Sequence, residues 1–400
     1  MSLERNPMTS AERHNAGANT RLQDASDAGA RRHDLCVLYS CSFALSRPGG
    51  KSAGTRRKLS AVRHLCRTVT VVAPEKADTA WAKALAIVTT EIRALATLLW
   101  QRKRIDVYIS RAFSGVLAIL LARVLGVTTA REIHADSFEE AAILAPTNSW
   151  KRGLLRFTAS VTHRLDQFAD IRFFNHPALL SWFAESDRTG PYDVAVYNGG
   201  QRPTATLSPS ERQRLRRALA LPTNQHLLVF TGSASPWHGI ERLVELQKCF
   251  NRYADPVQIV CAGGSIKHLD PTGLILNIAP ASGAQCERYI EVADFCLLPL
   301  EPNRRSPGSP IKLFDYLMHR KYVITQEDVQ GYSDVAESFG AGILVDFRDT
   351  EGTRARILEA IPACGGRQAD ISDAVLRTIT WEARMEAWLQ AVERSKAGAE

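Results

Sequence analysis

No apolar run in this 400-residue chain is long enough to cross a bilayer. The longest, Phe113 to Val127, is interrupted by Arg123 and falls short of the roughly 20 uncharged residues a spanning helix needs. The 8 cysteines include no C-x-x-C pair, and several lie inside apolar runs such as IVCAGG and FCLLPL. This is the pattern of buried, reduced thiols and points to the cytoplasm rather than to a disulfide framework. There is no D-x-D triplet, no H-x-x-x-H pair and no cysteine cluster, so no metal site is expected. A full G-x-G-x-x-G is missing, which argues against a dinucleotide fingerprint, and no repeat of solenoid period is visible. Residues 1–33 lack the apolar core of a secretory signal and read as a disordered leader.

With 45% hydrophobic and 23% charged residues, the composition is that of a globular protein, and the length suits two domains. Lys plus Arg exceed Asp plus Glu by 50 − 42 = 8, so an anionic partner is favoured. DLCVLYSCSF (34–43) is short, apolar and bounded by turn residues, as a strand buried on both faces would be. A Pro-Gly-Gly loop, a helical stretch and TVTVVAP (68–74) follow. Strand and helix then alternate through IDVYIS (105–110) and TTAREIH, which ends at His134. A second series starts at HLLVFTGSASPW (226–237) and continues through PVQIVCAGG, GLILNIA, ADFCLLPL, KYVIT and GAGILV. The spacing predicts an α/β protein of two doubly wound, Rossmann-like domains facing across a cleft. The expected divisions are 34–203 for an amino-terminal domain and 204–380 for a carboxyl-terminal domain. Residues 381–400 form an amphipathic closing helix that packs as a cap or returns to the amino-terminal domain.

Ser309, Pro310, Lys312, Asp315 and Tyr316 open a predicted helix after the strand at Leu297. Ser followed by Pro suits a cap and first-turn pair, and the free N–H groups of that turn favour an anion such as a diphosphate. Lys312 in the first turn opposes the helix dipole unless a phosphate sits there. Asp315, one turn on, suits the acceptance of hydrogen bonds from ribose hydroxyls. Solvated Lys312 and Asp315 on an amphipathic helix are the alternative.

This stretch resembles the nucleotide-sugar signature of glycosyltransferase family 4, retaining enzymes of the GT-B fold with an S-P-x-K-x-x-E-Y pattern. The family's Glu is Asp315 here, and a second family Glu falls at Pro307. VFTGSASPWHGIERLVEL (229–246) resembles the family's first nucleotide-domain strand and loop, with Ser233 and His238 at its two basic positions. Ser233 brings no charge and His238 only part of one near neutrality, so Lys312, Arg304 or Arg305 would compensate. The Pro48-Gly49-Gly50 loop matches the family's amino-terminal glycine loop, or else is a tight turn without a ligand. TAREIHADSFEE (129–140) resembles the family's E-x-H segment, whose His lies beside the transferred sugar, with Asp136 a lesser acceptor-side candidate. VYNGG (196–200) resembles its V-x-N-G lead into the linker, read as structural.

The resemblance implies a donor site of Gly49, Gly50, Ser233, His238, Gly308, Ser309, Lys312 and Asp315, with His134 and Lys312 as catalytic residues. It implies no cofactor and no metal: a UDP- or GDP-type sugar donor is the substrate, and helix N-termini neutralise the departing diphosphate. The expected activity is retaining hexosyl transfer to an acceptor hydroxyl in glycan, polysaccharide or glycolipid synthesis. A nucleotide-sugar epimerase of the same architecture and a non-catalytic sugar-nucleotide-binding protein are the alternatives.

No acidic residue falls at positions 35–74, which carry Arg47, Lys51, Arg56, Arg57, Lys58, Arg63 and Arg67. NSWKRGLLRFTASVTHRL (148–165) is also acid-free, a basic amphipathic segment that either lies on an anionic membrane or forms a solvated helix face. The first reading gives a peripheral protein at the inner face of the cell membrane with a lipid-linked acceptor. Nucleic acid is not an expected partner.

Overall fold

The computed structural model describes residues 33–46, 49–75, 80–111, 114–144, 149–185, 190–300 and 308–398. The expected leader, Pro48, Arg304, Arg305 and Pro307 lie outside the described residues.

The amino-terminal domain runs β1 (His33–Cys41), α1 (Gly50–Leu65), β2 (Cys66–Val72), α2 (Ala80–Gln101), β3 (Val107–Arg111), α3 (Val116–Val124), β4 (Thr128–Ile133), α4 (Ser137–Leu144), α5 (Ser149–Asp166), β5 (Ile171–Phe174), α6 (Pro177–Ala184) and β6 (Val194–Ala195). Its strands form one parallel sheet in the order β2-β1-β3-β4-β5-β6. The carboxyl-terminal domain runs α7 (Pro209–Ala218), β7 (His226–Gly232), a 3-10 turn (Pro236–His238), α8 (Ile240–Arg252), β8 (Val257–Gly263), β9 (Leu276–Ile278), α9 (Gly283–Val292), β10 (Phe295–Leu298), α10 (Ile311–Met318), β11 (Val323–Gln326), α11 (Ser333–Ser338), β12 (Gly342–Val345), α12 (Thr350–Cys364) and α13 (Asp373–Thr378). Its sheet is also parallel, in the order β12-β11-β10-β7-β8-β9. Both sheets reverse direction of winding at an internal point, β1/β3 in the first and β7/β10 in the second. Beyond the carboxyl ends of such strands lies the crevice where open α/β sheets bind ligands.

The strands are apolar because both of their faces are covered: Leu38, Tyr39, Val107, Ile109, Leu228, Val229, Phe295 and Leu297 are all buried. The closing helix α14 (Trp381–Ala397) is part of the amino-terminal core rather than a surface cap. Trp381, Met385, Trp388 and Leu389 are buried there, and Trp388 packs on Phe173 of β5 with ring centroids 4.1 Å apart. The chain therefore crosses between domains twice, and the two crossings touch. The Gly200 N–H donates to the Ile379 carbonyl at 2.8 Å, beside a parallel bridge between Gly200 and Thr380. A side chain at 199 would come within 2.7 Å of the Trp381 backbone, and one at 200 within 2.5 Å of the Phe314 carbonyl, so glycine is required by close approach. Among the described residues no helix is long and apolar enough to cross a membrane.

Candidate functional site

On the carboxyl-terminal rim, β7 ends at Gly232 and its loop leads through Ser233 and His238 into α8. α10 rises beside it with Lys312 in the first turn. The Lys312 ammonium lies 3.8 Å from the centre of the Phe230 ring and 3.4 Å from Nε2 of His238. Gly232 has φ +133°, and a side chain there would come within 2.9 Å of Lys312 Nζ, so backbone conformation and the lysine together demand glycine. Nδ1 of His238 donates to the Ser233 carbonyl at 2.6 Å, which leaves Nε2 turned toward the lysine. The Ser233 hydroxyl lies 2.8 Å from that of Ser235. Among the described residues no carboxylate pairs with Lys312, and burial lowers its pKa from 10.5 to about 7. A cation in the first turn, against the positive end of its helix and without an anionic partner, is unfavourably placed in the protein alone.

The amino-terminal rim is built differently. Glu132, buried at the end of β4, accepts from Lys58 of α1 at 2.7 Å and lies 3.6 Å from the Arg111 guanidinium at the end of β3. His134 Nε2 donates to the same carboxylate oxygen at 2.9 Å. Because a carboxylate only accepts, Nε2 carries the imidazole proton and Nδ1 keeps its lone pair, 3.5 Å from the Asn175 amide. Burial pushes the Glu132 carboxyl up, but Lys58, the His134 hydrogen bond and Arg111 outweigh it and hold it well below the usual carboxylate range. Burial, then the Arg111 charge, depresses His134 to about 3, so it is neutral at physiological pH although its ring is 27% exposed. The helix α4, which begins three residues after His134, touches the 236–238 turn of the other domain.

Two expected donor ligands are engaged by protein groups. Ser309 does not cap α10: Pro310 occupies the cap position without a side-chain bond. The Ser309 hydroxyl instead accepts from the Asn198 N–H at 2.9 Å, and its carbonyl accepts from the Asn198 amide, tying the start of α10 to the hinge. The Asp315 carboxylate accepts two contacts from Arg57 of α1, at 2.7 and 2.9 Å, and the Gln201 N–H at 3.1 Å. One turn back, Ile311 packs against Gly54, so α1 and α10 meet along successive turns. Gly308 approaches Gln330 and Gly331 of the loop before α11. Gly49 caps α1 with φ +120°, and neither Gly49 nor Gly50 has an atom within 4 Å of where a side chain would project, leaving open space at that helix start. Tyr316 belongs to the core, its buried hydroxyl accepting from the Thr231 N–H at 2.9 Å. Asp136 is turned back onto its own chain, accepting from the Phe138 N–H at 2.7 Å.

The structure thus gathers Ser233, His238 and Lys312 at one point, and sets Asp315 and Ser309 at domain contacts. Residues the motif reading missed are Arg57, Lys58, Arg111, Glu132 and Asn175. One signal for them was available: a carboxylate within a sheet strand expected to be covered on both faces, two residues before His134, requires buried cations, and the acid-free segment at 35–74 is rich in them.

Two facing Rossmann-like domains with a crossing-back terminal helix and paired crevices constitute the GT-B fold, and the chain matches solved glycosyltransferases of that architecture. It is similar to a sucrose-phosphate synthase from Thermosynechococcus elongatus (14% identity, TM-score 0.66, over 92% of this chain and 100% of that one). It is also similar to Anabaena HepE in complex with UDP and glucose (14%, 0.58, 90% and 100%), and to an alpha,alpha-trehalose 6-phosphate synthase from Burkholderia multivorans (11%, 0.61, 92% and 98%). At such identities the likeness is one of fold. No protein-family model matches the sequence, and neither does any curated protein.

Proposed function

We propose that the protein is a nucleotide-sugar-dependent glycosyltransferase of the retaining kind, moving a hexosyl group from a UDP- or GDP-type donor to an acceptor hydroxyl. The observation that carries this reading is Lys312, a basic group without a carboxylate partner among the described residues, set at the carboxyl end of the β7 crevice beside the start of α10. A diphosphate there would supply the missing anion, raise the lysine pKa and meet the N–H groups of the same helical turn. Support for a nucleotide sugar, rather than any phosphate, comes from the fold likeness to HepE, solved with UDP and glucose.

In this reading Lys312 and the α10 amides stabilise the departing diphosphate, and His238 Nε2 adds a second contact. His134 is neutral with Nε2–H committed to Glu132, so it offers its Nδ1 lone pair to a sugar hydroxyl and positions the ring without transferring a proton. Glu132 is a positioning residue that fixes the tautomer. Retention follows if the acceptor hydroxyl attacks the face from which diphosphate leaves, its proton passing to a phosphate oxygen. The donor ribose would reach Asp315 by displacing Arg57.

The decisive assay incubates the chain with labelled UDP- and GDP-sugars and a membrane extract, comparing wild type with Lys312→Met. Transfer that needs Lys312 supports the proposal, and equal transfer by both proteins removes the lysine from the reaction. The engagement of Asp315 by Arg57 favours a second reading, a sugar-nucleotide-binding protein without turnover, which predicts donor binding but no labelled product.

A further inference from the structure

Helix α2 is built inside out for a helix covering a sheet. The stripe it turns to the core is small: Ala86, Thr90 and Ala94 are buried, joined by Leu98. Large apolar side chains at 81, 85, 88, 92 and 99 fall on the opposite stripe at helical spacing, with Trp100 at its flank, and are exposed, Trp81 by 87% and Trp100 by 91%. The pattern continues on the neighbouring helices. α2 packs against α3, where Ala118, Ile119 and Ala122 are buried while Leu117, Leu120 and Val124 are exposed, Val124 by 83%. α3 touches α5, where Trp150, Leu154 and Phe157 follow one another on the outer face, exposed by 71%, 53% and 65%. Three adjacent helices therefore present one continuous apolar face, larger than scattered surface residues would give.

The rim of this face is cationic. Arg102, Lys103 and Arg104 follow Trp100 directly and are exposed, as are Arg93, Arg123, Lys151, Arg156 and Arg164. The carboxylates described on these helices are used elsewhere. Glu91 caps α3, accepting from the N–H groups of Gly115, Val116, Leu117 and Ala118, and Asp166 accepts from Arg131 at 2.8 Å. Isologous pairing of two such faces would set cation against cation, which disfavours a second copy. Tryptophans near both ends of an apolar stripe and basic residues at its edge, with no spanning helix among the described residues, are the chemistry of a segment lying in the interface of an anionic bilayer.

We propose that the outer face of α2, α3 and α5 docks the protein onto an anionic lipid bilayer. The face adjoins the cleft, because α5 packs on α4 and α4 touches the 236–238 turn. The proposal stands independently of glycosyl transfer.

The test is flotation of the full chain with phosphatidylcholine vesicles, with and without phosphatidylglycerol, followed by tryptophan emission. Flotation only with the anionic lipid, weakened by salt and accompanied by a blue shift, is expected. Joint substitution of Trp81→Ser, Leu85→Ser and Trp100→Ser should abolish it. Arg102→Glu with Lys103→Glu and Arg104→Glu should weaken it by about a hundredfold or more. Both variants should melt with the parent, since the altered side chains face away from the core. Trp150→Ser with Phe157→Ser on α5 supplies a separate variant should the first fail to fold. Absence of flotation, or flotation indifferent to these changes, would overturn the proposal. So would a dimer that the apolar substitutions dissolve, without vesicle binding.

Discussion

On the amino-terminal rim of the cleft, Lys58, Arg111 and His134 share one buried carboxylate, Glu132, and each charge has a partner within the domain. On the carboxyl-terminal rim, Lys312 lies against an aromatic ring and an imidazole, with no carboxylate beside it among the described residues. Both rims hold cations, but those of the first share a buried carboxylate, although Glu132 Oε1, Arg111 Nε and Asn175 Oδ1 lack a hydrogen-bond partner among the described residues, and the second has no described carboxylate. A cluster with its own counter-charge fixes geometry at rest, whereas a cation without one favours an anion. In the proposed function the amino-terminal rim holds shape and the carboxyl-terminal rim takes the charged end of the donor.

The sharpest way to break this comparison is at Glu132. Glu132→Gln leaves Lys58 and Arg111 buried without their counter-charge and should destabilise the fold by about 3–5 kcal/mol in urea titration. A loss within experimental error would mean that the cluster does not hold the rim. Lys312→Met should do the reverse. It removes a charge that the fold buries at a cost, so the melting temperature at neutral pH should hold or rise, while nucleotide-sugar affinity falls by about a hundredfold or more.

Acidity separates the rims next. In the free protein Lys312 loses its proton as pH rises through about 7, so donor affinity is fully expressed below that value. Above it, affinity should decline by up to about tenfold per pH unit until the pKa of the bound lysine is reached. His134, depressed to about 3, should contribute no limb between pH 5 and pH 9. Thermal stability, by the same lysine, should gain as pH climbs from about 7 toward 10, where the unfolded chain alone holds the proton. The smallest effect is expected at Arg57. Arg57→Ala frees Asp315 and should tighten donor binding several-fold, at a cost of about 1 kcal/mol in stability. Weaker binding would show that the ion pair assists the donor rather than competing with its ribose.

The fold was readable because buried parallel strands are short, apolar and evenly spaced, and His226 to Val345 follows that pattern closely. In the amino-terminal domain β5 and β6 escaped notice: IRFF and VA are too short to stand out between helices. Lys312 was legible because a cation in a first helical turn contradicts local electrostatics. Ser309 was misjudged as a cap because a Ser-Pro pair serves equally as the last extended residues before a helix, and its use by Asn198 depends on a hinge 111 residues away in sequence. The Arg57–Asp315 and Lys58–Glu132 pairs are non-local in the same way, since neither partner betrays the other along the chain. A helix that completes a distant core has the same periodicity as a surface cap, so the sequence admits both settings for Trp388.

Calorimetric titration with a nucleotide sugar at pH 8, repeated in buffers of different ionisation enthalpy, bears most directly on the role given to Lys312. Binding should draw close to one proton from the buffer, an uptake that Lys312→Met abolishes along with most of the affinity. Tight binding with no proton uptake, or uptake unchanged in the variant, would contradict a buried amine that protonates to meet a diphosphate.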